Sequence, residues 1–185
     1  MEKLLTMLKN TQILACVAIG LLLVAALAFL FSSSPTRTYS AVEQELLELS
    51  GNIRNNYMQK PDYRGLNNQK LITDNIIPNQ LLRNNKIMSS IGKEYIIGQN
   101  GKGDVVMPSQ RTFMITLNNL NKKACQDIAM LQIGNEDTLS LQKVIINNAS
   151  ETIEFEWGST NSLPISVNKA NEVCASKNNI SWVFE

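Results

Sequence analysis

The strongest hydrophobic pattern in the chain is the uncharged run Ile13–Phe31. A helix over this run is about 28 Å long at about 1.5 Å of rise per residue, which matches the hydrocarbon core of a bilayer. We therefore predict a transmembrane helix, followed by a break or kink at Pro35. This pattern divides the chain into an N-terminal segment 1–12, a transmembrane helix 13–31, a linker 32–39 and a domain 40–185.

Charges flank the apolar run unevenly. Lys3 and Lys9 precede it, whereas Arg37 and then several glutamates follow it. Basic residues accumulate on the cytoplasmic side of membrane helices, so we expect a cytoplasmic N-terminus and an exported domain. A cleaved signal peptide is the alternative, because Ala26-Leu27-Ala28 resembles a cleavage site. A retained anchor is favoured, since signal h-regions are shorter, at about 7–15 residues.

A second helix is predicted at the start of the exported domain. Ser40-Ala-Val-Glu43 has the pattern of a capping box, whose side chains bond the free N–H groups at a helix start. Apolar residues then recur at spacings of three and four, on one face of a helix that ends before Pro61. They are Val42, Leu46, Leu49, Ile53 and Tyr57. Such a stripe most often packs on the domain's own sheet, with a partner helix as the alternative.

Residues 61–92 are predicted to be irregular, with one or two helical turns allowed within Tyr63–Ile72, and the chain after them is predicted to be mostly strands. Asn100-Gly101 is a hairpin signal between two apolar runs, Glu94–Gly98 and Asp104–Met107. Further strands are predicted at Arg111–Leu117, Leu139–Ile146, Thr152–Trp157 and Ile180–Phe184. Short helices are predicted at Asn121–Gly134, with Ala124, Ile128 and Leu131 on one face, and near Asn168–Ala175. This order of a long helix and antiparallel strands indicates an α+β fold.

Composition excludes several classes of function. The net charge is +1 and 18% of the residues are charged, so no nucleic-acid partner is predicted. Histidine is absent, which removes the residue used most often as a general base and as a transition-metal ligand. We therefore predict no catalytic residue, no cofactor and no metal site, and we do not expect an enzyme.

Three groups of side chains resemble functional motifs, but a structural interpretation is favoured for each of them over a catalytic or binding role. Glu43, Glu45 and Glu48 are interpreted as solvated surface, because nothing in the sequence indicates burial or a charge partner. The stretch Gln99–Gly103 contains glycines and a lysine but lacks the spacing of a phosphate loop, which favours a hairpin turn. Trp157 and Trp182 fall in predicted strands, where packing is favoured over a role as ligand platforms.

The three cysteines fall in two different environments. Cys16 lies inside the apolar run and is interpreted as a small apolar residue, whereas Cys125 and Cys174 belong to the exported domain. Two cysteines in an oxidising compartment are typical of one disulfide, with two separate buried thiols as the alternative. Closing a loop of this length would stabilise the fold by about 4 kcal/mol in the chain-entropy model.

Four groups of residues follow one another in an order that is typical of one protein family. They are Leu46 with Asn52-Ile53-Arg54 and Tyr57; Tyr63-x-Gly65-Leu66-Asn67-Asn68 with Ile77-Pro78; Phe113-x-Ile115-Thr116 before Ala124-Cys125; and Cys174 before a C-terminal strand. From about Val42 to Glu185 the chain thus resembles the type IV pilins of bacteria, in particular the IVb subclass that includes the thin pili of conjugative plasmids. The resemblance implies a helix packed on an antiparallel sheet and one disulfide, here Cys125–Cys174.

The resemblance also implies a function. It indicates a structural subunit or membrane component of a type IV pilus, secretion or conjugation apparatus, which acts by assembly and contact. Its expected partners are the membrane and either other pilin subunits, in a homo- or hetero-oligomer, or assembly-platform proteins. The expected location is the bacterial inner membrane, with the domain in the periplasm or on an extracellular pilus. The alternative is a bitopic inner-membrane scaffold or binding protein whose pilin-like domain does not polymerise.

The N-terminus departs from the pilin pattern. Prepilins present a glycine to the prepilin peptidase, followed by an apolar helix with a glutamate at its fifth position. Gly20 is the glycine of the apolar run, and cutting after it would place Ala25 at that position. We therefore expect the leader to stay attached, and a stationary or minor pilin-like component rather than a bulk filament subunit.

Overall fold

The computed structural model describes residues 35–99, 111–133 and 141–185. Within them the helices are α1 (Pro35–Tyr57), α2 (Asn68–Thr73), α3 (Lys122–Ala129) and α4 (Val167–Val173), with a 3-10 turn at Asn79–Leu81. The strands are β1 (Leu82–Arg83), β2 (Lys86–Ile87), β3 (Tyr95–Gln99), β4 (Phe113–Leu120), β5 (Leu141–Asn148), β6 (Thr152–Glu156) and β7 (Asn178–Phe184). Residues Thr38–Glu185 form one compact unit, which has the predicted α+β architecture.

Five strands form an antiparallel sheet in the order β3-β4-β7-β5-β6. The last strand of the chain, β7, therefore lies at the centre, where Trp182 pairs with Ile115 on one side and Val144 on the other. A central strand has neighbours on both edges and its core face is covered, so Trp182 is only 1% exposed. Its position confirms the prediction that this tryptophan packs in the core.

Helix α1 buries the stripe that the sequence predicts. The five residues of the stripe, Val42, Leu46, Leu49, Ile53 and Tyr57, are at most 1% exposed and share one apolar cluster with the sheet. At the C-terminal end of the helix, aromatic rings continue the contact: the Tyr57 and Tyr63 centroids are 5.2 Å apart, and those of Tyr63 and Phe113 are 4.7 Å apart. The helix thus packs on the domain's own sheet, and its opposite face remains open to solvent.

The predicted start of this helix is wrong. Ser40 lies inside α1, which is already helical at Pro35, so Ser40-Ala-Val-Glu43 is not a capping box, and the segment 32–39 is helical from Pro35 onwards. The residues before Pro35 lie outside the described part of the chain, so the break expected at this proline stays a prediction. Among the residues that the structure describes, no helix is long and apolar enough to cross a membrane. The predicted transmembrane helix 13–31 lies outside them, as do Asp104–Met107 and the Asn100-Gly101 turn.

Residues 61–92 contain the helical turns allowed for Tyr63–Ile72 and, in addition, a β-ribbon that the sequence did not predict. They contain α2, the 3-10 turn and a ribbon in which β1 pairs with β2. The turn of this ribbon is Asn84-Asn85, with φ of 50° and 59°. Positive φ at both central residues is the geometry of a tight hairpin turn, and asparagine tolerates it better than most residues. The strands β4 to β7 and the helices α3 and α4 overlap their predicted ranges, although α3 ends at Ala129 rather than at Gly134.

Candidate functional site

The predicted site residues Cys125 and Cys174 meet between two short helices. Asn121 caps α3 by accepting a hydrogen bond from the Ala124 N–H at 2.9 Å, and Cys125 lies on the buried side of that helix. Cys174 caps the C-terminal end of α4. The structure joins the two residues by a disulfide with a Cα–Cα distance of 5.8 Å and a sequence separation of 49. The bond therefore fastens the C-terminal region to the helix that follows β4.

Asn178 fixes the chain immediately after the disulfide. Its side-chain amide donates to the carbonyls of Leu120 at 3.2 Å and Ala175 at 2.7 Å, and its Oδ1 accepts from the Ala175 N–H at 2.8 Å. The residue is 2% exposed, so these bonds replace the water that the amide would otherwise bind. On the neighbouring strand, the Asn148 amide donates to the Val173 carbonyl at 2.9 Å. Side-chain hydrogen bonds to the backbone thus fix the chain around the disulfide, beside the ends of the inner strands β5 and β7.

Glu45 joins helix α1 to strand β3 and to the segment that precedes this strand. Its carboxylate accepts from the Tyr95 hydroxyl at 2.8 Å and from the Ser90 N–H at 2.9 Å. Burial, with the Glu45 charge and hydrogen bond as smaller causes, raises the pKa of Tyr95 far above its ordinary value. The interpretation of Glu45 as solvated surface is therefore wrong, because the loop folds back over this part of the helix and leaves the side chain half-buried.

A first groove runs along α1 beside the β1–β2 ribbon. It has a volume of about 310 Å³ and is lined by Ala41, Gln44, Glu45 and Glu48 of the helix and by Gln80, Leu81, Arg83, Met88 and Ser90. Glu48 accepts from the Gln80 side-chain amide at 3.0 Å. We call it the acidic groove, since its two glutamates outnumber its one arginine.

A second groove lies near the C-terminal end of α1. It has a volume of about 350 Å³ and is lined by Gly51, Arg54, Asn55 and Met58 of the helix and by Tyr63, Arg111 and Glu185. The Arg111 guanidinium donates to the Lys60 carbonyl at 3.0 Å, which holds it at the groove. Burial raises the pKa of Tyr63, and the charges of Arg54 and Arg111 oppose that rise. We call it the basic groove.

Met58 is the exposed apolar residue of the basic groove, with 69% of its surface accessible. The sequence patterns did not predict a contact surface at Met58, Arg54 or Arg111. The pattern Gly51, Arg54, Asn55 and Met58 at spacings of three, one and three places these residues on one side of the helix, away from the buried stripe. A methionine on that polar side was the available indication of a contact surface.

Among residues 35–99, 111–133 and 141–185, no group of three or more cysteine, aspartate or glutamate side chains is placed to hold a metal ion. Glu43, Glu45 and Glu48 do not converge on a common atom, since Glu45 and Glu48 each bond a different segment. Trp157 lies just after β6, and its indole N–H donates to the Leu141 carbonyl at 2.8 Å, so it packs at the edge of the sheet.

Comparison with known proteins identifies the fold. A family model described as Bundlin matches residues 31–184. The chain belongs to the Bundlin family. Among curated protein sequences, none matches it. The match covers the helix, the sheet and both cysteines, and it confirms the resemblance to type IVb pilins.

Two solved pilin structures share the architecture of this Bundlin family member. A type IVb pilin from Salmonella typhi is 14% identical with a TM-score of 0.50, over 76% of this chain and 95% of that one. TcpA, a type IV pilin from the El Tor biotype of Vibrio cholerae, is 9% identical with a TM-score of 0.52, over 80% of this chain and 99% of that one. At such low identity these likenesses establish the fold alone. The departure at the N-terminus lies outside the described residues.

Proposed function

We propose that the chain is a structural subunit of a type IV pilus or of a related secretion or conjugation apparatus, and that it acts by assembly and contact. The observation that carries this proposal is the Bundlin match over residues 31–184, which joins α1, the sheet and the disulfide in one pilin domain. The open face of α1, with one groove of each charge, gives such a subunit surfaces for neighbours. The bonded Cys125–Cys174 pair suits a domain that functions outside the reducing cytoplasm.

The membrane is the proposed site of insertion before assembly. The apolar run Ile13–Phe31 supports a single-pass anchor, and the basic residues before it support a cytoplasmic N-terminus. The proposed location is therefore the inner membrane, with the pilin domain in the periplasm. From there the subunit either enters an extracellular filament or stays as a stationary or minor component.

Shearing of cells tests the proposed function directly. Cells that express the full chain with its own assembly apparatus are sheared, and the filament and membrane fractions are blotted for the chain. The chain should occur in the sheared fraction, in bulk or as a trace, or should co-purify with other pilins from the membrane. A chain that is monomeric in the membrane, and bound to neither pilins nor assembly-platform proteins, would contradict the proposal and leave the non-polymerising scaffold.

A further inference from the structure

The two grooves lie along the same helix, α1, and their helical lining residues are ten positions apart. Ala41 and Glu48 bound the helical side of the acidic groove, and Gly51 and Met58 bound that of the basic groove, ten positions further along. Ten residues of α-helix correspond to about 15 Å along the axis and to a turn of about 80° around it. Both grooves therefore open towards solvent, but on different flanks of the exposed ridge of α1.

Each groove holds charges of both signs, with one sign in excess: Arg54 and Arg111 against Glu185 in the basic groove, and Glu45 and Glu48 against Arg83 in the acidic groove. No acidic side chain in the described parts of the chain forms an ion pair with Arg54, and Glu48 bonds only the neutral amide of Gln80. Arg111 is held by a backbone carbonyl and keeps its charge available. Opposite charges on two flanks of one helix cannot reach each other in one molecule, but they can meet between two copies set side by side.

We propose that the basic groove receives the acidic flank of a second copy of this chain, with Glu48 of one copy paired with Arg54 and Arg111 of the next. This inference rests on the proposed function as an assembling subunit. The exposed Met58 supplies an adaptable apolar contact beside the ion pair. Because the contact joins different patches of the two copies, it is heterologous and repeats from copy to copy rather than closing as a two-fold dimer.

The geometry also sets the axial step between copies. Glu48 and Arg54 are six positions apart, or about 9 Å along the axis, whereas the groove centres are about 15 Å apart. If the α1 helices of adjacent copies run parallel, each copy is displaced along them by about 9–15 Å. A two-fold dimer would have antiparallel or unshifted helices and no such step.

Charge reversal in the full-length chain tests the pairing. Arg54→Glu and Glu48→Arg should each lower the amount of assembled chain at least about tenfold, which corresponds to about 1.4 kcal/mol per contact. The double variant should restore assembly, because it reverses both partners. Lys177→Glu is the matched control, since Lys177 is exposed and lines neither groove. Retention of the Cys125–Cys174 bond in every variant shows that the domain still folds.

Cysteine cross-linking distinguishes the type of contact, in a background in which Cys16 is replaced by alanine. Oxidation of the Gln44→Cys, Asn55→Cys double variant, which keeps Glu48, Arg54 and Arg111, should give a ladder of oligomers, while each single variant stays monomeric. Dimers from Asn55→Cys alone, or full assembly by both charge-reversed single variants, would overturn the inference but leave the proposed function intact. If the unmodified chain neither enters filaments nor co-purifies with other pilins, the proposed function fails. A chain that does either of these but gives no ladder would overturn the inference alone.

Discussion

At the scale of single residues, two asparagines of this chain stabilise the fold by hydrogen bonds from their side chains to the backbone, although asparagine is most common in turns and loops. Asn178 satisfies three backbone groups beside the disulfide, and Asn68 bonds two backbone groups of β3. A side-chain amide has an acceptor oxygen and two N–H donors. It can therefore bond a strand in the way that the C=O and N–H groups of a neighbouring strand would. The sequence marks an asparagine as polar and turn-forming, but it does not indicate which backbone groups the folded chain brings to it.

Asn178→Ala should destabilise the domain by about 1–3 kcal/mol for the buried groups left without partners. The carbonyl of Leu120 and the N–H and carbonyl of Ala175 would each lose a bond to the side chain. Urea unfolding of the detergent-solubilised chain, followed by tryptophan fluorescence, measures the change. Asn171→Ala, at an exposed position of α4, is the matched control and should be nearly neutral. Equal midpoints for the two variants would show that the Asn178 bonds contribute nothing net.

Glu45→Ala should leave the hydroxyl of the buried Tyr95 without its acceptor. A hydrogen bond to a charged group contributes about 1.5–3 kcal/mol, so the unfolding midpoint should fall clearly. Tyr95→Phe removes the other partner, and the double variant should cost less than the sum of the two single changes because they share one bond. Glu43→Ala is the control from the same helical turn. Additive effects of Glu45→Ala and Tyr95→Phe would refute the coupling.

At the scale of elements, Asn68 closes an edge of the sheet. Its amide donates to the Tyr95 carbonyl at 2.6 Å, and its Oδ1 accepts from the Ile97 N–H at 2.7 Å, as a neighbouring strand would. Edge strands with free backbone groups are templates for pairing with other chains. Asn68→Ala should therefore speed hydrogen exchange at the Ile97 amide by about tenfold or more, the equivalent of about 1.4 kcal/mol. Gln69→Ala is the control. Unchanged hydrogen exchange at the Ile97 amide in Asn68→Ala would show that other contacts protect this edge strand.

The elements differ in how far the sequence determines them. The buried stripe of α1 follows from spacings of three and four, and β4 to β7 follow from β-branched and aromatic content, because both are local properties. The central position of β7 depends on pairings between residues more than sixty positions apart, such as Ile115 with Trp182, which no local pattern encodes. The grooves depend in turn on how the segment after α1 folds back onto it, so the sequence predicted neither their shape nor the bond between Glu45 and Tyr95.

At the scale of the whole molecule, the orientation in the membrane decides where the pilin domain functions. The basic residues before the apolar run predict a cytoplasmic N-terminus and an exported domain. A periplasm-specific reporter fused after Glu185 should therefore be active, and a cytoplasm-specific reporter fused at the same point should be silent. Replacement of Lys3 and Lys9 by glutamate should weaken this preference, since the charge difference across the helix would be reversed. Activity of the cytoplasmic reporter alone would contradict the predicted orientation.

The orientation also affects the stability of the domain, because a disulfide forms and persists outside the reducing cytoplasm. In the chain-entropy model a bond that closes 49 positions contributes about 4 kcal/mol, a large share of the 5–15 kcal/mol that stabilises an ordinary domain. Cys125→Ser, Cys174→Ser and the double variant should therefore destabilise the chain by similar amounts, because each removes the same bond. The Asn178 and Asn148 bonds should keep the sheet folded at low temperature in all three variants. Thiol labelling of chain taken from the native envelope provides the decisive measurement: both cysteines should resist labelling until a reductant is added, and free thiols at Cys125 and Cys174 would show that the domain functions without its bond.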